Sequence, residues 1–141
     1  MSHIVNLQRK VPLHIGLFRS FVDQLRIEAA EYPNKHFSVA FVSDRRMKQL
    51  NEHFRGKAET TDVLSFPNDP DAFDPDKDNL GDVVISAEQA LRQSAENGLT
   101  FDNEIMQLIL HGYLHLCGMD HETDEGEMNE REIGLRSRLG I

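Results

Sequence analysis

The sequence predicts an α+β fold: one domain over residues 1–141, with about four strands in a mixed sheet covered by about five helices. Three observations lead there. Segments with strand alternation and segments with helical period interleave along the chain. A length of 141 residues suits one hydrophobic core, and no linker divides it. One helix near the C-terminal end is apolar almost all the way round, as an element buried at the centre must be.

The elements follow in order. HIVNLQ (3–8) suits a short edge strand. Over 13–31, Leu17, Phe18, Phe21, Val22, Leu25 and Ala29 recur with helical period, and Tyr32-Pro33-Asn34 ends that helix. HFSVAFVS (36–43) alternates, with Phe37, Val39 and Phe41 on one face, and reads as a strand. Ser43 or Asp44 can cap a helix through DRRMKQLNEHF. TDVLSFP (61–67) is rich in β-formers, and NDPDAFDPDKDN (68–79) is a loop dominated by turn chemistry. LGDVVIS (80–86) is the next strand, and Ser86 caps a helix that stops at Gly98. Thr100 caps the long apolar helix FDNEIMQLILHGYLHLC, and a last helix runs from a Thr123 cap through EMNEREIGLRSRL.

Composition narrows the function. Charged residues make up 28% and apolar ones 39%, which suits a globular chain. The lone Cys117 rules out an internal disulfide framework and fits a reducing cytosol. The N-terminal segment is too polar for a signal peptide, and no run of about 18 apolar residues exists to span a membrane. A net charge of −9 argues by itself against phosphate contacts, which are made by Lys and Arg. The distribution is uneven, however. Arg45, Arg46, Lys48, Arg55 and Lys57 gather between positions 45 and 57.

The central helix carries HGYLHLCGMDH (111–121), with histidines spaced H-x3-H-x5-H. His111 and His115 are four apart and share a helix face. Gly118 can end the helix and swing His121 back toward them. Three imidazoles around one point, with a fourth position open, make a catalytic zinc site. Nickel, copper or iron would also suit imidazoles. A solitary histidine is more often a packing or surface residue, and His3, His14, His36 and His53 are read that way. His111 and His115 differ, because they interrupt a buried apolar helix, where an unpartnered polar group costs about 1–3 kcal/mol. A shared metal removes that cost for both.

The spacing matches the metzincin proteases, but the residue after their first histidine is a Glu base, and here it is Gly112. Glycine in a helix costs about 1 kcal/mol relative to Ala, so Gly112 answers a packing or access need. Asp120 could orient a ligand histidine, although an Asp beside a turn more often caps it. Cys117 points to another helix face and reads as a small buried hydrophobe. Arg55 has the guanidinium fork that suits phosphate oxygens. The sequence assigns no general base: Gly112 is unable to serve, and Asp62, Asp120 and Glu122 are guesses.

HGYLHLCGMDH resembles the H-G-x-x-H-x-x-G-x-D-H signature of the YbeY-type endoribonucleases, or rRNA maturation factors. FRGKAETTDVLSF and LGDVVIS resemble two further family segments, in the family's order. The family's commonest residue before the motif's Asp is Tyr; Met119 stands here, at a position that is not a ligand. The resemblance implies a metal-dependent hydrolase, usually with zinc, that cleaves single-stranded RNA. Its biology would be 16S rRNA 3′-end maturation and ribosome quality control in the cytoplasm, with the small ribosomal subunit or its proteins as partner. On that reading His111, His115 and His121 hold Zn2+, and His115 and Arg55 are the catalytic candidates. The alternatives are a metalloprotease-like zinc hydrolase and a non-catalytic ribosome-assembly factor with a structural metal.

Overall fold

A computed structural model describes residues 3–32, 34–71 and 73–141. The elements run β1 (His3–Asn6), α1 (Ile15–Ala29), β2 (His36–Val42), α2 (Asp44–Arg55), β3 (Val63–Pro67), β4 (Asn79–Ser86), α3 (Ala87–Asn97), α4 (Phe101–Leu116) and α5 (Glu127–Leu139). The strands form one sheet in the order β1-β2-β4-β3. β1 pairs parallel with β2, and β2 parallel with β4. β3 pairs antiparallel with β4, which makes the sheet mixed, as expected. The parallel β1–β2 pair needs a crossover, and α1 supplies it.

Strand alternation sorts the core into two layers. Phe37, Val39 and Phe41 of β2, with Val83 and Ile85 of β4, face a large cluster that includes α1, α4 and α5 residues. Val42, Val84 and Leu64 turn the other way and bury Met47 of α2. The sheet is thus covered on both faces. In α1, Phe18, Phe21, Val22, Leu25 and Ala29 are buried as the period requires, but Leu17 lies off that stripe and is 42% exposed.

The helix boundaries follow local chemistry. Ser43, Ser86 and Thr100 accept the N–H groups of Arg46, Gln89 and Asn103, so all three expected caps are in place. α1 stops earlier than the sequence suggested, at Ala29, with Ala30 left-handed. Position 33, to which that stop was assigned, and position 72 of the acidic loop lie outside the described residues. α5 also departs from expectation. Thr123 does not cap it. The Asp124 carboxylate accepts the N–H groups of Gly126 and Met128, both at 2.9 Å, and the helix begins at Glu127. A carboxylate is the stronger partner for a helix N-terminus, because it also meets the positive end of the dipole.

α4 is the central helix. Ile105, Ile109, Leu110, Tyr113 and Leu114 are fully buried in it. Burial of such side chains contributes about 1.5–3 kcal/mol each. That readily offsets the roughly 1 kcal/mol that an interior glycine costs.

Candidate metal centre

Gly112 shows what that glycine is for. A Cβ there would lie 2.6 and 2.9 Å from the two Val83 methyls and 3.2 Å from Ser65 Oγ. The helix can approach the sheet this closely only without a side chain at 112. Ser65 Oγ closes the contact by donating to the Gly112 carbonyl at 3.1 Å. The position where a protease carries its Glu base is therefore filled by the sheet.

Beside Gly112, His111 and His115 stand one helical turn apart on α4 and face a cavity that β3 also lines. α4 then ends in a Schellman turn. Gly118 N–H donates to the His115 carbonyl at 3.0 Å and Met119 N–H to that of Leu114 at 3.1 Å, with Gly118 at φ 92°. The reversed chain returns His121 to the other two rings. Ring centroids stand 4.8 Å apart for 111–115 and 5.3 Å for 111–121 and 115–121.

The donor set fits a metal. The three ligand nitrogens lie within 4.8 Å of one another. His111 Nε2 and His115 Nε2 are 3.2 Å apart. Nitrogens bound tetrahedrally at about 2.0–2.1 Å sit about 3.3–3.4 Å apart, so this pair already has the spacing. His115 is held below its ordinary pKa by burial first and by its two histidine neighbours next, which keeps its ring neutral.

His111 is oriented from behind. Its Nδ1 meets Glu132 Oε1 of α5 at 2.6 Å, and Glu132 Oε2 accepts from Arg136 Nη2 at 2.5 Å. Glu132 is only 7% exposed. Burial pushes its carboxyl up, but the hydrogen bond and charge of His111, and then Arg136, outweigh that and hold it below the usual value. An ionised Glu132 keeps the proton on Nδ1 and leaves the Nε2 lone pair for the centre. Asp120, the sequence's candidate for this task, instead accepts the Glu122 N–H within its own turn. Burial pushes the Cys117 thiol up to about 11, so it stays a protonated, uncoordinating side chain.

The histidines open onto a cavity of about 580 Å³ that Arg55 also lines. Arg55 is the last residue of α2. Among the described residues no ion pair involves it. Arg45, Arg46 and Lys48 are exposed at the far end of the same helix, and Lys57 lies just past it. Of the three carboxylates considered as bases, Asp62 is committed to structure: its oxygens accept from Val63 N–H at 2.8 Å and Gln93 Nε2 at 3.1 Å.

A family model described as endoribonuclease YbeY matches residues 4–140. The chain belongs to the YbeY family. Among curated relatives bearing that name, the Clostridioides difficile protein is 39% identical over 129 residues, covering 85% of this chain and 84% of its own. The Carboxydothermus hydrogenoformans protein is also 39% identical and covers 100% and 99%. A solution structure of a Thermotoga maritima protein shares the fold, with a TM-score of 0.68 and 26% identity over 99% of this chain and 89% of that one.

The YbeY signature contains the three histidines but not Glu132, which sequence reasoning missed. A signal was there. Glu132 is four residues after Met128 and three before Leu135, both buried, so an acidic residue occupies the apolar stripe of α5.

Proposed function

We propose that this chain is a single-domain, metal-dependent endoribonuclease that hydrolyses single-stranded RNA. Its setting is 16S rRNA 3′-end maturation and ribosome quality control in the cytoplasm, with the small ribosomal subunit or its proteins as partner. One observation carries the reading: three imidazoles and Arg55 converge on one cavity, in a family whose relatives are named endoribonucleases.

His111, His115 and His121 would hold the ion, and zinc is the one that three imidazoles with an open fourth position suit. When bound, the metal supplies a polarised water at neutral pH and a Lewis acid for the phosphodiester. The chain does the rest. Glu132 fixes the His111 proton on Nδ1. Arg55 places its charge beside the phosphoryl oxygens, where negative charge grows as water attacks. The α2 cations track the RNA backbone away from the acidic loop 68–79. No helix among the described residues is long and apolar enough to cross a membrane. A peptidase reading lacks its base, since Gly112 is pressed on Val83. A structural-metal reading lacks a fourth protein ligand among the described residues.

The test is metal analysis paired with a ribonuclease assay. His115→Ala should lose bound metal and cleavage together. Arg55→Ala should keep its metal and lose about a hundredfold or more in kcat, the scale of removing one preorganised donor. Full cleavage by a verified metal-free His115→Ala protein, or cleavage of casein in place of RNA, refutes the reading.

A further inference from the structure

The cavity runs along an open sheet edge. Val63, Leu64, Ser65 and Pro67 all line it. Successive strand residues point to opposite faces. A cavity touching neighbours in sequence must therefore lie at the strand's edge, and β3 is the last strand of the sheet.

The ladder shows which backbone groups face that edge. β3 pairs with β4 in unbroken register from Val63↔Ile85 to Pro67↔Gly81. Just beyond its ends, Ser86 N–H donates to the Asp62 carbonyl and Asn68 N–H to that of Leu80, both at 2.9 Å. Hydrogen-bonded pairs alternate along an antiparallel ladder. Residues 62, 64, 66 and 68 therefore turn their backbone groups toward β4, and Val63, Ser65 and Pro67 turn theirs outward. Proline has no N–H. The Val63 N–H is taken by the Asp62 carboxylate at 2.8 Å. Ser65 is left as the one outward backbone donor of β3 without a partner among the described residues.

We propose that the Ser65 N–H is a phosphate-positioning donor, which holds a non-bridging oxygen of the RNA backbone between Arg55 and the three histidines. The proposal rests on the endoribonuclease reading and deepens it. An open edge can also take an extended peptide, but a peptide strand needs donors and acceptors in alternation. Here proline and Asp62 remove two donors of three, as edges protected from strand pairing do. A single N–H that shares a cavity with a guanidinium fits an anion instead. Ser65 is also held in place relative to the centre, since its Oγ donates to the carbonyl of Gly112, next to His111. The donor and the metal-holding helix thus keep a fixed spacing.

The test replaces the Ser65 amide by an ester, using the α-hydroxy analogue of serine in the full chain loaded with zinc. The same exchange at Phe66, whose register turns its backbone to β4, is the control. The Ser65 ester is expected to lose about a hundredfold in kcat on a single-stranded RNA and to melt slightly lower, because the Leu64 carbonyl that faces β4 becomes a weaker ester acceptor. The Phe66 ester, which loses an N–H that faces β4, is expected to melt lower still and keep kcat within tenfold. Sulfur is a weak acceptor. A phosphorothioate at the scissile position should therefore slow the wild type for one diastereomer and lose that penalty in the Ser65 ester. A Ser65 ester within tenfold of wild-type kcat, or one that keeps the full sulfur penalty, overturns the assignment and leaves the edge to a peptide. A metal-loaded wild type that cleaves no RNA overturns the endoribonuclease reading itself.

Discussion

Replacing Glu132 by Gln tests how the centre is held, because no orientation of the amide satisfies both partners of the carboxylate. Glu132 accepts from His111 Nδ1 at 2.6 Å and from Arg136 Nη2 at 2.5 Å. If the Gln oxygen faces His111, its NH2 group faces the guanidinium, donor against donor. If the oxygen faces Arg136, the NH2 group faces Nδ1. The imidazole proton must then move to Nε2, the atom that should bind metal. Loss of a partner that orients a ligand histidine lowers metal affinity about 10–100-fold. That is about 1.4–2.7 kcal/mol. Glu132 is 7% exposed, so water replaces the lost charge poorly. Folding of the metal-free protein should weaken by about 1.5–3 kcal/mol, the scale of hydrogen bonds to a charged group. Competition against a chromophoric chelator at pH 7 measures the first quantity, and urea melts of the metal-free protein the second. Wild-type zinc affinity in Glu132→Gln would mean that His111 needs no partner on Nδ1 and that Glu132 does not orient it.

Gly112→Ala tests the packing that excludes a protease base. Alanine gains about 1 kcal/mol in helix propensity, but its Cβ would sit 2.6 Å from Val83, and overpacking costs about 1–3 kcal/mol. The change should therefore be neutral to destabilising in the wild type and stabilising in a Val83→Ala background; a gain of about 1 kcal/mol in both backgrounds would show that the contact is absent. Asp44 starts the helix that carries Arg55, and its carboxylate accepts from Ser86 Oγ at 2.6 Å and pairs with Arg92 at 2.7 Å. Burial raises its pKa, but these partners outweigh burial and set it below 3.8. A lowered carboxylate stabilises the fold above its unfolded pKa and loses that contribution as pH falls through the folded one. The stability gap between wild type and Asp44→Asn, about 1 kcal/mol at pH 7, should hold down to about pH 4.5 and shrink below about 3.8. A gap that stays constant to pH 3 in denaturant melts would contradict this.

The sequence by itself determined whatever a few neighbouring residues decide. Alternation in 36–43 placed Phe37, Val39 and Phe41 on the core face of β2. Side-chain oxygens at Ser43, Ser86 and Thr100 started three helices. The four-residue step from His111 to His115 and the Gly118 reversal assembled three imidazoles, because helix pitch and a left-handed turn act within a single turn of chain. Local competition also explains the misplaced α5 boundary: Thr123 and Asp124 both offered oxygens, and the carboxylate took the N–H groups. Only the tertiary structure could decide the rest. Glu132 reaches His111 across 21 positions because α5 folds back beside α4. Gly112 is required by Val83 and Ser65, which come from two other strands. Arg55 enters the cavity because α2 ends beside the open edge of β3. Each of these depends on where the chain crosses itself, and no periodicity or cap encodes that. Hydrophobic burial sets those crossings, and it fixes which polar groups meet only once the layers have closed.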